Sequence, residues 1–363
     1  MKLKTLLIVV ALLAALSGAA WFFNRPSTAA SSSDTRIGQP VLATAVAEKV
    51  ARVRITEKGK TVLLVRDADP SAIWRVTSYH DLPADFAKLA TFVKSLNSAD
   101  VERLVTTSPD RIKRLEFSDT TITLFDAAEK PLLSLTLGKP ADTGGRYLRF
   151  GDETKAYLAR LDTWLDVEPK NWADATLAKF TPADIGKVTL TFPSAPAVTL
   201  SRANATPPVT ADAPPSGQRL KPDTLPSLLS TLSGLRFTET SAPDDPQAVG
   251  ARAAARTVTL TTFDNKPLTF ALGRQPERNV IKPDALNPAP TALVSGDPKP
   301  EPTALLGTVT ETIPAGPVFA FITHSDASAP VNTLMQKRAF QIADHALNSL
   351  PASPAALFES ISE

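Results

Sequence analysis

One constant displacement recurs along this chain, and it constrains the fold more than any other feature. Val62-Leu63-Leu64-Val65-Arg66 returns as Val198-Thr199-Leu200-Ser201-Arg202. Leu89, Phe92, Val93 and Leu96 form an i, i+3, i+4, i+7 helical stripe, and Leu225, Leu228, Leu229 and Leu232 repeat it at the same displacement. Lys130-Pro131-Leu132 returns, again equally far along, as Lys266-Pro267-Leu268. Each of these is preceded by a β-rich run ending in Phe-Asp (Phe125-Asp126, Phe263-Asp264) and followed by a run ending in Leu-Gly (Leu137-Gly138, Leu272-Gly273). Both sets read as β-hairpins. A period this long implies paired domains and not a solenoid.

One copy is expected to run as strands at 50–56, 61–66 and Trp74-Arg75-Val76, a helix at 84–97, and strands near 101–106, 120–126, 131–137, 146–150 and 155–159. Short hairpin links favour antiparallel pairing with the helix over one apolar face. The fold class is therefore expected to be α+β: a transmembrane helix followed by two duplicated modules of antiparallel sheet, each with a helix on one face. The modules are placed at 41–183 and 184–296, the second with Pro-rich insertions. Proline is frequent, 32 residues, and clusters at 193–226 and 276–317, which read as loops. Residues 297–363 read as a Pro-rich linker, a strand at Val318 to Ile322 and a last helix near 331–349, carrying Val331, Leu334, Met335, Ile342 and Leu350.

The transmembrane expectation rests on an uncharged run from Thr5 to Phe23, after a cytoplasmic tip at 1–4 that carries Lys2 and Lys4. As a helix it would rise about 29 Å, against a hydrocarbon core of about 30 Å. Leu6, Leu7, Ile8, Val9, Val10, Leu12, Leu13, Leu16, Phe22 and Phe23 supply the apolar side chains, and Trp21 joins the two phenylalanines in an interfacial aromatic cluster. The leading lysines predict a cytoplasmic N-terminus and a periplasmic body in a bacterial plasma (inner) membrane, with the bilayer contacted through 5–23. Ser17-Gly18-Ala19 offers a signal-peptide cleavage site as the competing reading. Continuation of the run past that site favours the anchor, and both readings export the body. Residues 24–40, rich in Ser, Thr and Ala, read as a flexible tether.

Composition excludes several functions. Lys and Arg number 39 against 37 Asp and Glu, so the chain has no global field for nucleic acid. Cysteine is absent, which removes disulfides, thiolate ligands, a catalytic thiol and a lipid-modified N-terminus. His80, His324 and His345 have no zinc spacing, so no metal is expected. Gly59-Lys60-Thr61 imitates the end of a phosphate loop, but Arg54 stands at the first glycine position and a strand follows, so it reads as a hairpin turn. No Gly-x-Ser-x-Gly elbow occurs. Asp162, Asp166 and Glu168 read as solvated charge, as do Arg103, Arg111, Lys113 and Arg114. Gly144-Gly145 reads as a tight turn into a strand. Trp74, Gly138 and Gly273 are read as structural; Trp164 and Trp172, flanking Pro169, are read as core anchors linking the domains.

Trp74-Arg75-Val76, the helix after it, Leu137-Gly138-Lys139, Arg146-Tyr147-Leu148-Arg149 and Asn171-Trp172-Ala173-Asp174 together resemble the bacterial domain of unknown function 4340 family, over nearly the whole chain. Lys113-Arg114-Leu115 departs from that family's Gly-Leu before the central hairpin. The resemblance implies a short membrane anchor, a duplicated exported region and a role beside gliding-type ABC transporter components. It brings no catalytic residues.

The expectation is thus a non-catalytic binding or scaffolding protein without cofactor, meeting an ABC transporter permease or another envelope protein through strand edges and loops. An envelope hydrolase with paired carboxylates and a cleaved, soluble solute-binding protein are the alternatives.

Overall fold

The computed structural model describes residues 34–68, 73–117, 119–162, 165–192, 195–205, 208–288 and 306–361. Two compact units divide the chain between Asp174 and Ala175.

The first unit contains β1 (Arg52–Glu57), β2 (Lys60–Arg66), β3 (Trp74–Val76), β4 (Leu82–Pro83), β5 (Val101–Thr106), β6 (Thr121–Phe125), β7 (Pro131–Pro140), β8 (Arg146–Phe150) and β9 (Ala156–Ala159). Its helices are α1 (Thr44–Ala47), α2 (Phe86–Ser98) and α3 (Pro109–Lys113). The strands form one antiparallel sheet in the order β4-β3-β2-β1-β6-β7-β8-β9-β5. Period-2 alternation decides which side is buried: Val53 and Ile55 of β1, Val62 and Leu64 of β2, and Ile122 and Leu124 of β6 are all buried. Asp85 starts α2 by accepting a hydrogen bond from the Lys88 amide at 3.0 Å, and Leu89, Phe92 and Leu96 form the helix's buried stripe.

The second unit contains β10 (Ile185–Phe192), β11 (Ala195–Ser201), β12 (Thr210–Ala211), β13 (Gln218–Leu220), β14 (Phe237–Ser241), β15 (Arg256–Thr262), β16 (Pro267–Arg274), β17 (Arg278–Pro288), β18 (Leu306–Ile313), β19 (Val318–His324), β20 (Ala339–Ile342) and β21 (Phe358–Ser360). Its helices are α4 (Thr224–Ser233), α5 (Pro246–Ala253), α6 (Pro330–Lys337) and α7 (Asp344–Asn348). The main sheet runs β12-β11-β10-β15-β16-β19-β20-β14. Strand for strand this is the order of the first sheet from β3 to β5. Leu225, Leu228, Leu229 and Leu232 are the buried side of α4.

The two copies also share turn geometry. The Lys-Pro-Leu hairpins place Glu129 and Asn265, which correspond under the repeat, at φ 62° and 59°. Asp126 Oδ1 accepts from the Lys130 amide in one, and Thr262 Oγ1 accepts from the Lys266 amide in the other. Each sheet's last strand is covered at its start by an incoming segment. The Val41 amide donates to the Ala99 carbonyl at 2.7 Å, and the Leu177 amide donates to the Leu235 carbonyl at 3.1 Å. The Val101 amide donates to Gln39 and the Phe237 amide to Ala175, both at 2.9 Å.

Several expectations change. The fold reading that began with a membrane-crossing helix is overturned: the described chain is mostly antiparallel sheet with short helices, and none of those helices is long and apolar enough to cross a membrane. Residues 5–23, with Leu6, Leu7, Ile8, Val9, Val10, Leu12, Leu13, Leu16, Trp21, Phe22 and Phe23, lie outside the described residues. Part of the expected tether is paired to the sheet, since the Gly38 amide donates to the Val101 carbonyl at 2.8 Å. The strand at 318–322 is no appendage, because β19 pairs β16 along its length and β20 beyond it. The helix expected at 331–349 is interrupted by β20, because Arg338 is extended at φ −145° and ψ 152° and starts a strand that pairs with β14.

Candidate functional site

Within the first unit, a recess of about 790 Å3 opens where the incoming segment meets the end of the sheet, lined by Asp34, Arg36, Val101, Phe150, Glu153, Lys155 and Tyr157 among others. The sheet supplies its floor. Phe150 ends β8, Tyr157 lies on β9, and their rings meet edge to face at 5.6 Å. The turn between those strands carries Glu153 and Lys155, so two opposite charges stand at one rim.

Residues far away in sequence complete the network. Lys155 Nζ donates to Asp34 Oδ2 at 2.8 Å, and the Tyr157 hydroxyl donates to the same oxygen at 2.9 Å. Glu153 Oε2 lies 3.3 Å from that hydroxyl, and Arg36 Nη2 reaches Glu153 Oε1 at 2.5 Å. The Arg36 guanidinium also stands 4.1 Å over the Phe150 ring. Asp34 accepts a further bond from the Arg36 amide at 3.2 Å.

These contacts fix the protonation states. Asp34 is held down at about 2, chiefly by the Lys155 hydrogen bond and then by the Arg36 amide, which outweigh its desolvation. The Lys155 ammonium is pushed up by Asp34, through the hydrogen bond first and its charge second. The Tyr157 phenol is pushed up by burial and by the two carboxylates beside it. Near neutral pH the site therefore holds an ionised Asp34, a protonated Lys155 and a neutral Tyr157. A general base needs a pKa near the working pH and a nucleophile needs an accessible deprotonated form, and these groups are driven away from both. The arrangement suits holding residues 34–41 on the sheet.

A second polar cluster surrounds Trp172. Its indole Nε1 donates to the Asp166 carbonyl at 2.8 Å, its ring meets Phe92 edge to face at 5.6 Å, and Lys88 Nζ lies 4.7 Å above it. Lys88 donates to Asp166 Oδ2 at 2.7 Å and to the Asn171 carbonyl at 3.0 Å. Burial pushes the Asp166 carboxyl up, but Lys88 and the Glu168 amide outweigh it and the net direction is down.

The structure distributes the sequence-derived residues as follows. Trp172 is buried inside the first unit, Trp74 is half-buried on β3 with Arg66 6.0 Å from its ring, and Trp164 lies outside the described residues. Gly138 and Gly273 occupy matching points in the two sheets where another backbone comes close. A Cβ on Gly138 would stand 2.5 Å from the Leu115 carbonyl oxygen, and one on Gly273 2.2 Å from the Ala251 oxygen. Gly144 and Gly145 turn the chain between β7 and β8. None of the readings along the sequence singled out Asp34, Arg36, Lys155 or Tyr157; Asp34 and Tyr157 are 123 residues apart, and no local pattern joins them.

No curated protein and no solved structure matches the chain. Residues 74–254, from the start of β3 to the end of α5, match the family model described as domain of unknown function (DUF4340), and over that stretch the chain resembles the DUF4340 family.

Proposed function

We propose that this protein is a non-catalytic binding or scaffolding module that works on the outer side of the bacterial plasma membrane, as an accessory of an ABC-type transporter or another envelope complex. One observation carries the reading. The charged recess, where the most strongly shifted ionisable groups among the described residues meet, fixes the incoming chain to the body and leaves Asp34, Lys155 and Tyr157 in unreactive protonation states. A hydrogen-bonded junction of this kind suits a body that has to be presented to a partner from its N-terminal side. The uncharged apolar run at 5–23 supports export of the body.

The test is in-cell crosslinking followed by affinity purification of the full chain from the detergent-solubilised envelope fraction, read by mass spectrometry. A transporter permease or its partner subunit is expected in the eluate. Recovery of the bait alone, from cells in which the transporter is expressed, would sink the proposal.

A further inference from the structure

The two units differ most between the strands that correspond to β7 and β8. In the first unit residues 141–145 close that link, with the Ala141 amide donating to the Gly145 carbonyl at 3.0 Å. In the second, residues 275–317 take its place and carry β17 and β18, paired antiparallel as a two-stranded sheet of their own. The Gly316 amide donates to the Gln275 carbonyl at 2.9 Å and closes the base. Arg278, Asn279, Ile281, Lys282, Thr310, Glu311 and Thr312 are exposed, Ile281 at 69%. A two-stranded ribbon is marginal by itself and gains from further pairing.

Its two edges are unlike. β17 carries Pro283 and Pro288, which have no amide hydrogen, together with Arg278, Lys282 and Asp284. Those are the residues with which proteins blunt an edge against further pairing. β18 reads Leu-Gly-Thr-Val-Thr-Glu-Thr-Ile, with no proline and the single charge Glu311, which is ion-paired to Lys282 across the ribbon. Among the described residues no further strand pairs with it.

We infer that the outer edge of β18 is a self-association site, on which β18 of a second copy of this chain pairs antiparallel to give a four-stranded sheet about a two-fold axis. The sequence of β18 is compatible with itself in few registers. Hydrogen-bonded and non-hydrogen-bonded residue pairs alternate along an antiparallel ladder, so a two-fold pairing has to set one residue opposite itself. Glu311 on the axis would oppose two like charges. Val309 or Thr310 on the axis avoids this, and each sets threonine opposite threonine on both sides: Thr308 against Thr310, or Thr308 against Thr312. The chain already uses such pairs within its sheets, with hydroxyl oxygens 3.1 Å apart at Thr259 and Thr269 and at Thr56 and Thr61.

The absence of native cysteine makes a single introduced thiol an unambiguous reporter. Directly opposed residues in an antiparallel pair have Cα atoms about 4.5–5.5 Å apart, within disulfide reach. The experiment takes full-length Val309→Cys, Thr310→Cys and, on the blunted edge, Asn279→Cys through mild oxidation, with light scattering of the unmodified protein alongside. Expected are a disulfide dimer from position 309 or 310, none from 279, and a protein mass twice the 38.6 kDa of one chain. Thr310→Lys should shift that mass to the single chain while leaving the circular dichroism spectrum unchanged. A single-chain mass at every concentration with no crosslink at 309 or 310 overturns the inference. Equal crosslinking from 279 does so too.

Discussion

Replacing Gly273 by alanine should destabilise the second unit by about 2 kcal/mol through overpacking, and the same change at Gly138 should act on the first. The added Cβ at Gly273 would stand 2.2 Å from the Ala251 carbonyl oxygen and 2.8 Å from Ala255 Cα. Ordinary non-bonded contacts lie at about 3.5–4.0 Å, so backbone has to yield by about 1 Å. It cannot yield freely. Ala251 is near the end of α5, and its side chain is buried in a cluster with Ala248, Phe319 and Ala339. Overpacking of this type costs about 3 kcal/mol, while the stiffer unfolded chain returns about 0.7 kcal/mol, which leaves the net figure of about 2 kcal/mol. With a urea dependence of about 2 kcal/mol per molar, the midpoint should fall by about 1 M.

The four tryptophans, Trp21, Trp74, Trp164 and Trp172, all precede the second unit, so the two changes can be told apart. Indole fluorescence follows the first unit, while far-ultraviolet circular dichroism follows both. Gly273→Ala should lower a dichroism transition and leave the fluorescence midpoint in place; Gly138→Ala, whose Cβ would meet the Leu115 oxygen at 2.5 Å, should move the fluorescence midpoint. Unchanged midpoints in both variants would refute the steric argument. A fluorescence shift in Gly273→Ala as large as that in Gly138→Ala would refute independent unfolding of the units.

Asp34→Asn should weaken the first unit in a pH-dependent way. The carboxyl lies at about 2 in the folded chain and at about 3.9 unfolded, so its stabilisation is present above pH ~3.9 and fades as pH falls toward 2. Solvent screening brings the expected loss to about 1 kcal/mol at neutral pH, and wild type and variant should converge near pH 2 when urea midpoints are compared. Trp172→Ala should cost about 3–5 kcal/mol, because it opens a cavity beside Phe92 and removes the bond to the Asp166 carbonyl; a midpoint shift under about 0.5 M urea would contradict its place in the core. Lys88→Met should raise the Asp166 carboxyl pKa, since its burial would then lack the cation that offsets it; carboxyl NMR titration showing no change would contradict the ion pair.

How much of this was legible along the sequence depends on where each interaction leaves its mark. A buried strand or helix face has to repeat apolar side chains at its own period, and so Val62 and Leu64 match Val198 and Leu200, and the stripe from Leu89 to Leu96 matches Leu225 to Leu232. Gly138 and Gly273 were visible for a similar reason: a close backbone approach tolerates one residue type. The stretch from 331 to 349 misled because Val331, Leu334, Met335 and Ile342 fit a helical spacing. β20, Ala339–Ile342, is too short for alternation to compete with that pattern, and it is placed by pairing with β14 and β19.

The incoming segments show the limit most clearly. Val41 and Leu177 bind equivalent carbonyls through main-chain amides, at the same displacement as the rest of the repeat. Amide hydrogen bonds impose little on side-chain identity, and residues 39–41 and 175–177 read Gln-Pro-Val and Ala-Thr-Leu. The first of these stretches therefore passed for tether, although Asp34 and Arg36 before it anchor the charged recess. In backbone pairing, the repeating unit starts at the first bond to the last strand that both copies share, at Gln39 in one copy and Ala175 in the other. That placement makes a sharper prediction than side-chain pattern can. Proline at Val41 or at Leu177 removes one amide bond to the residue two before an edge strand, Ala99 or Leu235, together with a buried side chain. Each should lower the urea midpoint of its own unit, and hydrogen exchange should rise at Val101 in the first variant and at Phe237 in the second. Unchanged exchange at both positions would mean that the segments lie on the edges without holding them.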